Sequence, residues 1–170
     1  MCGPGETCCP GCGLVMPVSD TVVYEGYYNT SPECWSVFTE VVGSEFNNVV
    51  LFGQAHQLTV DAYAAQHAGS AHPDKSVVIH LSGLYLVLER RVPATRIPQC
   101  HQRLANTVDT WPRFVAPGER GATTVFDVAM CDSPEGHIQT VREWADGVWA
   151  AWAPYHADVE EFVNRHLALD

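Results

Sequence analysis

TSPECWSVFTEVV, residues 30–42, decides the fold class, because an irregular Cys-rich sequence precedes it and helical patterns follow it. Thr30 and Glu33 have the spacing of a helical capping box, and Pro32 suits the first turn of a helix. Apolar side chains then recur at spacings of three and four residues, namely Cys34, Val37, Phe38, Val41 and Val42. This is the period of a helix with one buried face, so the stretch predicts a helix over 31–46.

After this helix, further segments show the apolar spacing of a helix, and residues typical of turns separate them. It predicts further helices over 55–68, 75–91, 99–107, 134–152 and from 156 to the end of the chain. Asp74 is the expected N-cap of the 75–91 helix, Pro93 stops that helix, and Pro154 kinks or breaks the 134–152 pattern. TTVFDVA, residues 123–129, is expected to form a strand or an extended connector.

The N-terminal 30 residues differ from the rest in being rich in Gly, Pro and Cys, with one short extended stretch, TVVYEGYY, at 21–28. A chain of 170 residues is long enough to bury a sizeable core in one domain. We therefore expect a single domain over 1–170 with a mainly α fold. It would be a helical bundle of four to six helices over 31–170, with an irregular Cys-rich zinc-knuckle N-terminus over 1–30.

The charge balance limits the partners. The net charge is −11, from 20 acidic and 9 basic residues. This argues against nucleic acid or an anionic membrane as the main partner, because both bind cationic surfaces. Six of the basic residues are arginines between Arg90 and Arg120, which either form a patch for a small anionic substrate or are simply solvated. The sequence does not indicate an oligomeric state.

No targeting or membrane-spanning segment is recognisable in the sequence. The N-terminus has no apolar stretch of the kind that a signal peptide contains, and no apolar run approaches the length of a transmembrane helix. We expect a cytoplasmic protein, in which cysteines are more often metal ligands, reactive thiols or small core residues than disulfides.

The knuckle, CCPGCG at residues 8–13, carries the strongest chemical signal. Cys9 and Cys12 have the CxxC spacing that places two sulfurs on one ion, and Gly11 and Gly13 let the backbone turn its amides toward the thiolates. Zinc is the expected cofactor and takes four ligands in such sites. The alternatives are a redox thiol pair, which expects a βαβ context that is not predicted here, and a plain loop.

The other zinc ligands must come from distant parts of the chain. Cys34 is the best third candidate, because the first turn of a helix favours a thiolate, although a small core residue is the alternative. The fourth position stays open between Cys2, Cys8 and a histidine, with His67 the expected neighbour. His80 and His156 are expected to face the same cavity from other helices, as ligands or as acid–base groups, and we include His156 among the predicted metal ligands. The remaining cysteines, Cys100 and Cys131, are expected to be structural.

Three further residues are candidates for proton transfer. His80 lies in an apolar helix and points inward, where a hydrogen-bonded core histidine is the plain alternative to a functional one. Asp61 is a candidate carboxylate partner for an imidazole, or else a surface charge that stabilises its helix. Tyr63 lies four residues before His67, on the same helical face. We predict Asp61, Tyr63 and His80 as catalytic residues if the protein is an enzyme.

The chain resembles a small bacterial family labelled as a domain of unknown function. The resemblance is carried by CPGCG (9–13), SPECW (31–35), LTVDAYAAQH (58–67), SVVIHL…LE (76–89) and H…V..W…VW.AW…H (137–156). It implies that one pattern includes the residues Cys9, Cys12, Cys34, His67, His80 and His156, and it implies no activity. A more remote likeness, in architecture alone, is to the DinB/YfiT-like metal-binding bundles.

Two functions of different classes fit these observations. The first is a zinc-dependent enzyme that acts on a small molecule, an anionic one included, through a metal with an open position. The second is a non-catalytic zinc protein, such as an adaptor or a thiol or metal sensor, and a redox thiol protein is a third. The fourth metal position discriminates them, because water or substrate there favours an enzyme and a fourth protein ligand favours a structural zinc.

Overall fold

The computed structural model describes residues 2–167 and is mainly helical, which confirms the predicted fold class. The helices are α1 (Pro32–Phe46), α2 (Val49–Leu51), α3 (Gln57–Gln66), α4 (Asp74–Leu88), α5 (Ile97–Thr107), α6 (Val125–Ala129), α7 (Pro134–Ala151) and α8 (His156–His166). A π-helical segment, Phe52–His56, joins α2 to α3, and 3₁₀ turns at Ala94–Arg96 and Ala153–Tyr155 precede α5 and α8. None of the helices within 2–167 is both long and apolar enough to cross a membrane.

Helix α3 lies at the centre of the bundle and packs against α4 and α7. It is buried on almost every face, because its alanines at 62, 64 and 65 are fully covered by neighbouring helices. Its polar side chains are buried as well and therefore need partners inside the protein. Gln66, for example, accepts a hydrogen bond from Trp144 and donates to the carbonyls of Arg120 and Thr123.

The N-terminal segment contains a small antiparallel hairpin that the sequence did not predict. Strand β1 (Glu6–Cys8) pairs with β2 (Val15–Pro17), with Glu6 opposite Pro17 and Cys8 opposite Val15. The knuckle is the turn of this hairpin. The stretch expected to be extended, residues 21–28, forms no strand in the described structure.

Two helix caps differ from the predicted ones. Ser31, rather than Thr30, is the N-cap of α1, and its hydroxyl accepts a hydrogen bond from the Cys34 amide at 3.2 Å. Thr30 is drawn away because its hydroxyl lies 2.8 Å from that of Tyr63. At α4 the N-cap is Pro73, and Asp74 becomes the first residue of the helix, where its charge suits the helix dipole.

The prediction for residues 123–129 was wrong, because Val125–Ala129 forms the short helix α6. Thr124 and Asp127 make the two reciprocal hydrogen bonds of a capping box, a signal that the β-branched composition of the stretch had obscured. The predicted 75–91 helix ends earlier, at Leu88, and Arg91 then adopts the left-handed conformation with φ of 56°. The last predicted helix extends to residue 170, and its residues 168–170 lie outside the described structure.

Candidate metal centre

The turn of the hairpin presents two cysteines to the helical bundle. The Cys9 amide donates to the Leu14 carbonyl at 2.8 Å, and the Gly13 amide donates to the Cys9 carbonyl at 2.9 Å. Gly13 has φ of 76°, a conformation that costs other residues energy, so the tight turn depends on a glycine there. Cys9 is buried, and Cys12 is partly exposed.

Two helix ends supply the other members of this cluster. Cys34 lies in the first turn of α1 and is completely buried. His67 directly follows α3 and is also completely buried. Its Nδ1 lies 2.7 Å from the Tyr63 carbonyl oxygen and must carry the proton, because a carbonyl only accepts. The lone pair of Nε2 is therefore free, and Nε2 lies 3.5 Å from the Cys34 sulfur.

These four side chains, Cys9, Cys12, Cys34 and His67, form what we call the Cys3His cluster. Their donor atoms all lie within 4.8 Å of one another. The sulfurs of Cys12 and Cys34 are 3.8 Å apart. In a tetrahedral zinc site with zinc–sulfur distances of about 2.3 Å and zinc–nitrogen distances of about 2.0–2.1 Å, two sulfurs are roughly 3.8 Å apart and a sulfur and a nitrogen roughly 3.5 Å. Both observed separations agree with one shared zinc ion.

Gly11 allows His67 to approach the hairpin. A Cβ atom at position 11 would lie 2.4 Å from Cδ2 of His67 and 2.5 Å from the Asn29 carbonyl oxygen. The Asn29 amide in turn donates to the His67 carbonyl at 2.9 Å. The knuckle backbone is thus in direct contact with the histidine that completes the cluster.

Tyr63 and Thr30 surround the sulfurs with hydroxyl groups. The Tyr63 hydroxyl lies 3.8 Å from the Cys34 sulfur, and the Thr30 hydroxyl lies 3.4 Å from the Cys9 sulfur. The Tyr63 ring also stacks on His67 at a centroid distance of 3.9 Å. Burial raises the pKa of Tyr63, so the phenol keeps its proton and donates toward the Cys34 sulfur. In this position it supports the ligands, and its predicted role in proton transfer stays a prediction.

The three thiols depend on one another for their charge. Hydrogen bonds from Cys12 and Cys34 lower the pKa of Cys9 far below its usual value. Contacts with Cys34 and Cys9 raise the pKa of Cys12, so without a cation the group does not hold three thiolates. Burial lowers the pKa of Arg120, but Cys9 and Cys12 oppose that shift because the guanidinium stands near their negative charge. Arg120 donates to the carbonyls of Gln66 and Ala68, on either side of His67.

A second cluster contains Asp61 of α3, His80 of α4 and His101 of α5, which we call the Asp/His cluster. Nδ1 of His80 lies 2.8 Å from Oδ1 of Asp61, and Nε2 of His101 lies 3.7 Å from the same oxygen. Asp61 is completely buried. The sequence prediction included Asp61 and His80, and the structure brings these two together.

His101 was missed, although a sequence signal was available. It lies four residues after Ile97 and three before Leu104, the two buried residues of α5, and so shares their inward face. Burial lowers the pKa of His101, which favours the neutral imidazole that metals bind.

Other predicted residues lie elsewhere. His156 does not join the Cys3His cluster. Its Nε2 donates to the Trp149 carbonyl at 2.8 Å, and its ring stacks on the Trp149 indole. Helix α8 packs against α4, which turns this histidine away from the cysteines. Cys2 and Cys8, the alternatives for the fourth ligand, form a disulfide with each other. Cys100 and Cys131 are free thiols outside both clusters.

Comparison with known proteins gives a family for the chain. Residues 7–153 match the family described as a family of unknown function (DUF5946). The chain belongs to this family. The matched residues contain every member of both clusters, so each cluster lies within the family domain. No curated protein and no solved structure matches the chain.

Proposed function

We propose that the protein is a zinc protein in which the Cys3His cluster binds one structural zinc ion. The observation that carries this proposal is the pair of separations, 3.8 Å between two sulfurs and 3.5 Å between sulfur and nitrogen, which are those of ligands on one tetrahedral zinc. Four protein ligands fill a tetrahedron. The ion would therefore fasten the N-terminal hairpin to α1 and α3 rather than present an open position to a substrate.

The chemistry of the second sphere supports this assignment. His67 donates its other ring nitrogen to a backbone carbonyl, which is the usual arrangement for a histidine that binds zinc through Nε2. The hydroxyls of Tyr63 and Thr30 and the charge of Arg120 stand beside the sulfurs, where they offset the negative charge of three thiolates. A structural zinc of this kind suits an adaptor or a sensor, the non-catalytic alternative.

A metal-dependent enzyme acting on a small molecule, an anionic one included, is the second candidate. An open groove of about 490 Å³, lined by residues 9–13 and 118–122, borders the cysteine side of the cluster and favours it. This function requires Cys12, the partly exposed ligand, to yield its position to water or substrate. Arg120 faces the same groove, although its guanidinium is already bound to three carbonyls.

A cytoplasmic location also remains part of this proposal. The free thiols of the Cys3His cluster suit a reducing compartment, whereas the Cys2–Cys8 disulfide suits an oxidising one. Reaction of the protein with a thiol-alkylating reagent in intact cells would show which state these cysteines have.

The test of the zinc proposal is metal analysis of a Cys9→Ser/Cys12→Ser variant. We expect its zinc content to fall by about one equivalent per chain, because two of the four ligands are lost. A Cys100→Ser/Cys131→Ser variant is the matched control, since it also removes two free cysteines and should keep the metal. Equal zinc content in the two variants would refute the proposal.

A further inference from the structure

The Asp/His cluster contains buried polar atoms that the protein itself does not satisfy. Oδ2 of Asp61 and Nε2 of His101 are both buried and have no hydrogen-bond partner among residues 2–167. Buried polar atoms are nearly always paired, so each such exception requires an explanation. Here the two atoms belong to one group of three side chains that approach one another from α3, α4 and α5.

Gly83 of α4 leaves the space between these atoms empty. A Cβ atom at position 83 would lie 2.2 Å from Oδ2 of Asp61 and 2.6 Å from Nε2 of His101. Glycine in the middle of a helix is less favourable than alanine, yet α4 has one at this point. The lone pairs of a carboxylate and an imidazole therefore face a position that the chain keeps free of side-chain atoms.

The separations within the cluster are close to those of ligands on one ion. Two atoms that each lie about 2.0–2.2 Å from a metal are separated by roughly 3 to 3.5 Å. The observed distances from Oδ1 of Asp61, 2.8 Å to His80 and 3.7 Å to His101, lie on either side of this range. A hydrogen bond between Asp61 and His80 alone would explain the first distance, but it leaves His101 and Oδ2 of Asp61 unpaired.

We propose that Asp61, His80 and His101 bind a divalent transition-metal ion at a site separate from the Cys3His cluster. The ion takes the place of the proton between Asp61 and His80 and gives His101 a partner. One carboxylate and two imidazoles suit zinc, iron, cobalt or nickel rather than calcium or magnesium. Gln57 holds the carboxylate by donating to Oδ1 of Asp61 at 3.0 Å.

Three protein ligands leave at least one position of the ion open, as in metal sites that perform chemistry. The side chains of His80 and His101 are 14% and 13% exposed, so this position lies near the surface of the bundle. It therefore binds water or an oxygen ligand from solvent. The proposal uses none of the zinc-cluster residues and holds whether or not that cluster binds zinc.

The test is cobalt(II) binding to the full chain after removal of metal. We expect wild type to bind two equivalents, one with a thiolate-to-cobalt charge-transfer band from the Cys3His cluster and one without it. Asp61→Asn and His101→Gln should each lose the equivalent without the charge-transfer band and keep the other. Gly83→Ala should lose the same equivalent, because its methyl group fills the space between the ligands, while Gly43→Ala, whose Cβ meets nothing within 4 Å, should not.

Two controls separate this proposal from the zinc proposal. His156→Gln removes a histidine outside both clusters and should bind two equivalents. Cys9→Ser/Cys12→Ser should lose the charge-transfer band and keep the other equivalent.

If wild type binds one equivalent, and His101→Gln binds the same amount with the same far-ultraviolet circular dichroism, the Asp/His cluster is a hydrogen-bonded pair with a bystander histidine and the proposal is wrong. His101→Gln serves here because its position is partly exposed and tolerates replacement better than Asp61.

Discussion

Gly11 is the residue at which the hairpin and the bundle come closest. The side chain and carbonyl that a Cβ at position 11 would meet belong to His67 and Asn29. The His67 ring donates to the Tyr63 carbonyl, and the Asn29 amide donates to the His67 carbonyl, so both residues are held in place. Neither atom is the end of a flexible side chain, so neither moves aside cheaply. A single methyl group therefore acts directly on the position of His67, the proposed zinc ligand.

Gly11→Ala should weaken zinc binding by roughly 10- to 100-fold, the range seen when a group that orients a metal ligand is disturbed. The measurement is competition for zinc with a chromogenic chelator. Gly118→Ala is the matched control, because Gly118 lines the same groove in a loop and a Cβ there meets nothing within 4 Å. If both variants bind zinc as tightly as wild type, Gly11 does not position His67.

At the scale of helices, Glu45 of α1 joins three elements through one buried carboxylate. His56 of the π-helical segment donates to Oε2 at 2.9 Å, and His137 of α7 donates to Oε1 at 2.8 Å. Thr59 of α3 adds a third hydrogen bond at 2.6 Å. Burial would raise the pKa of Glu45, but the bonds from His137, His56 and Thr59 outweigh burial and lower it below its ordinary value.

Glu45→Gln should destabilise the protein at pH 7 by about 1–3 kcal/mol, because it leaves buried donors without their carboxylate. The pKa of Glu45 is lower in the folded protein than its ordinary value of 4.5, so its contribution is complete above pH 4.5 and is lost as the pH falls through the folded pKa. Chemical denaturation of both proteins from neutral to acidic pH should show their difference shrinking below pH 4.5.

Glu40→Gln is the control for this prediction. Glu40 lies on the same helix, but its side chain is exposed, so its replacement should change stability little at any pH. A difference between wild type and Glu45→Gln that stays constant across the acidic range would show that the carboxylate charge is not what stabilises the three elements.

At the scale of the whole molecule, the Cys3His cluster links segments that are distant in the sequence. The hairpin is too small to be stable by itself and adds few buried side chains to the core. It is joined to the bundle by the cluster, by the Asn29–His67 backbone hydrogen bond and by Tyr28, which contacts Trp35 and Tyr63. A metal that binds only the folded chain adds its binding free energy to the stability of the fold.

Removal of metal should therefore lower the melting temperature by on the order of 10 °C, because free zinc at about 1,000 times its dissociation constant contributes about 4 kcal/mol. Calorimetry with and without a chelator measures this shift. The Cys9→Ser/Cys12→Ser variant should melt at the lower temperature and respond much less to the chelator. A chelator effect of equal size on this variant would place the stabilising metal outside the Cys3His cluster.

Much of the fold was predictable, because the spacing of apolar residues that indicates a helix is a local feature of the sequence. Among residues 2–167, six helices have ten or more residues, in agreement with the predicted four to six. The errors lie where a tertiary contact competes with a local one. Thr30 loses the cap of α1 because its hydroxyl contacts Tyr63, a residue 33 positions away.

The composition of the Cys3His cluster was also predictable in part. The CxxC spacing of Cys9 and Cys12, the first-turn position of Cys34 and the end of α3 at His67 are all local features. Helical phase separates Asp61 from His67, since six residues at 3.6 per turn leave them about 120° apart around α3. The sequence by itself therefore determined that the chain is helical, that it has a CxxC knuckle able to join a metal site and that α3 directs polar groups to two sides.

Only the tertiary structure decided which histidine joins which group. A histidine side chain offers the same two nitrogens wherever it lies, so its partner is set by the helix that packs opposite it. Helix α4 packs against both α3 and α5, which brings His101 of α5 close to Asp61 of α3. The His156 ring instead stacks on Trp149, outside both clusters. These contacts join residues 40 and 7 positions apart, and they depend on interhelical packing that the period of a single helix does not encode.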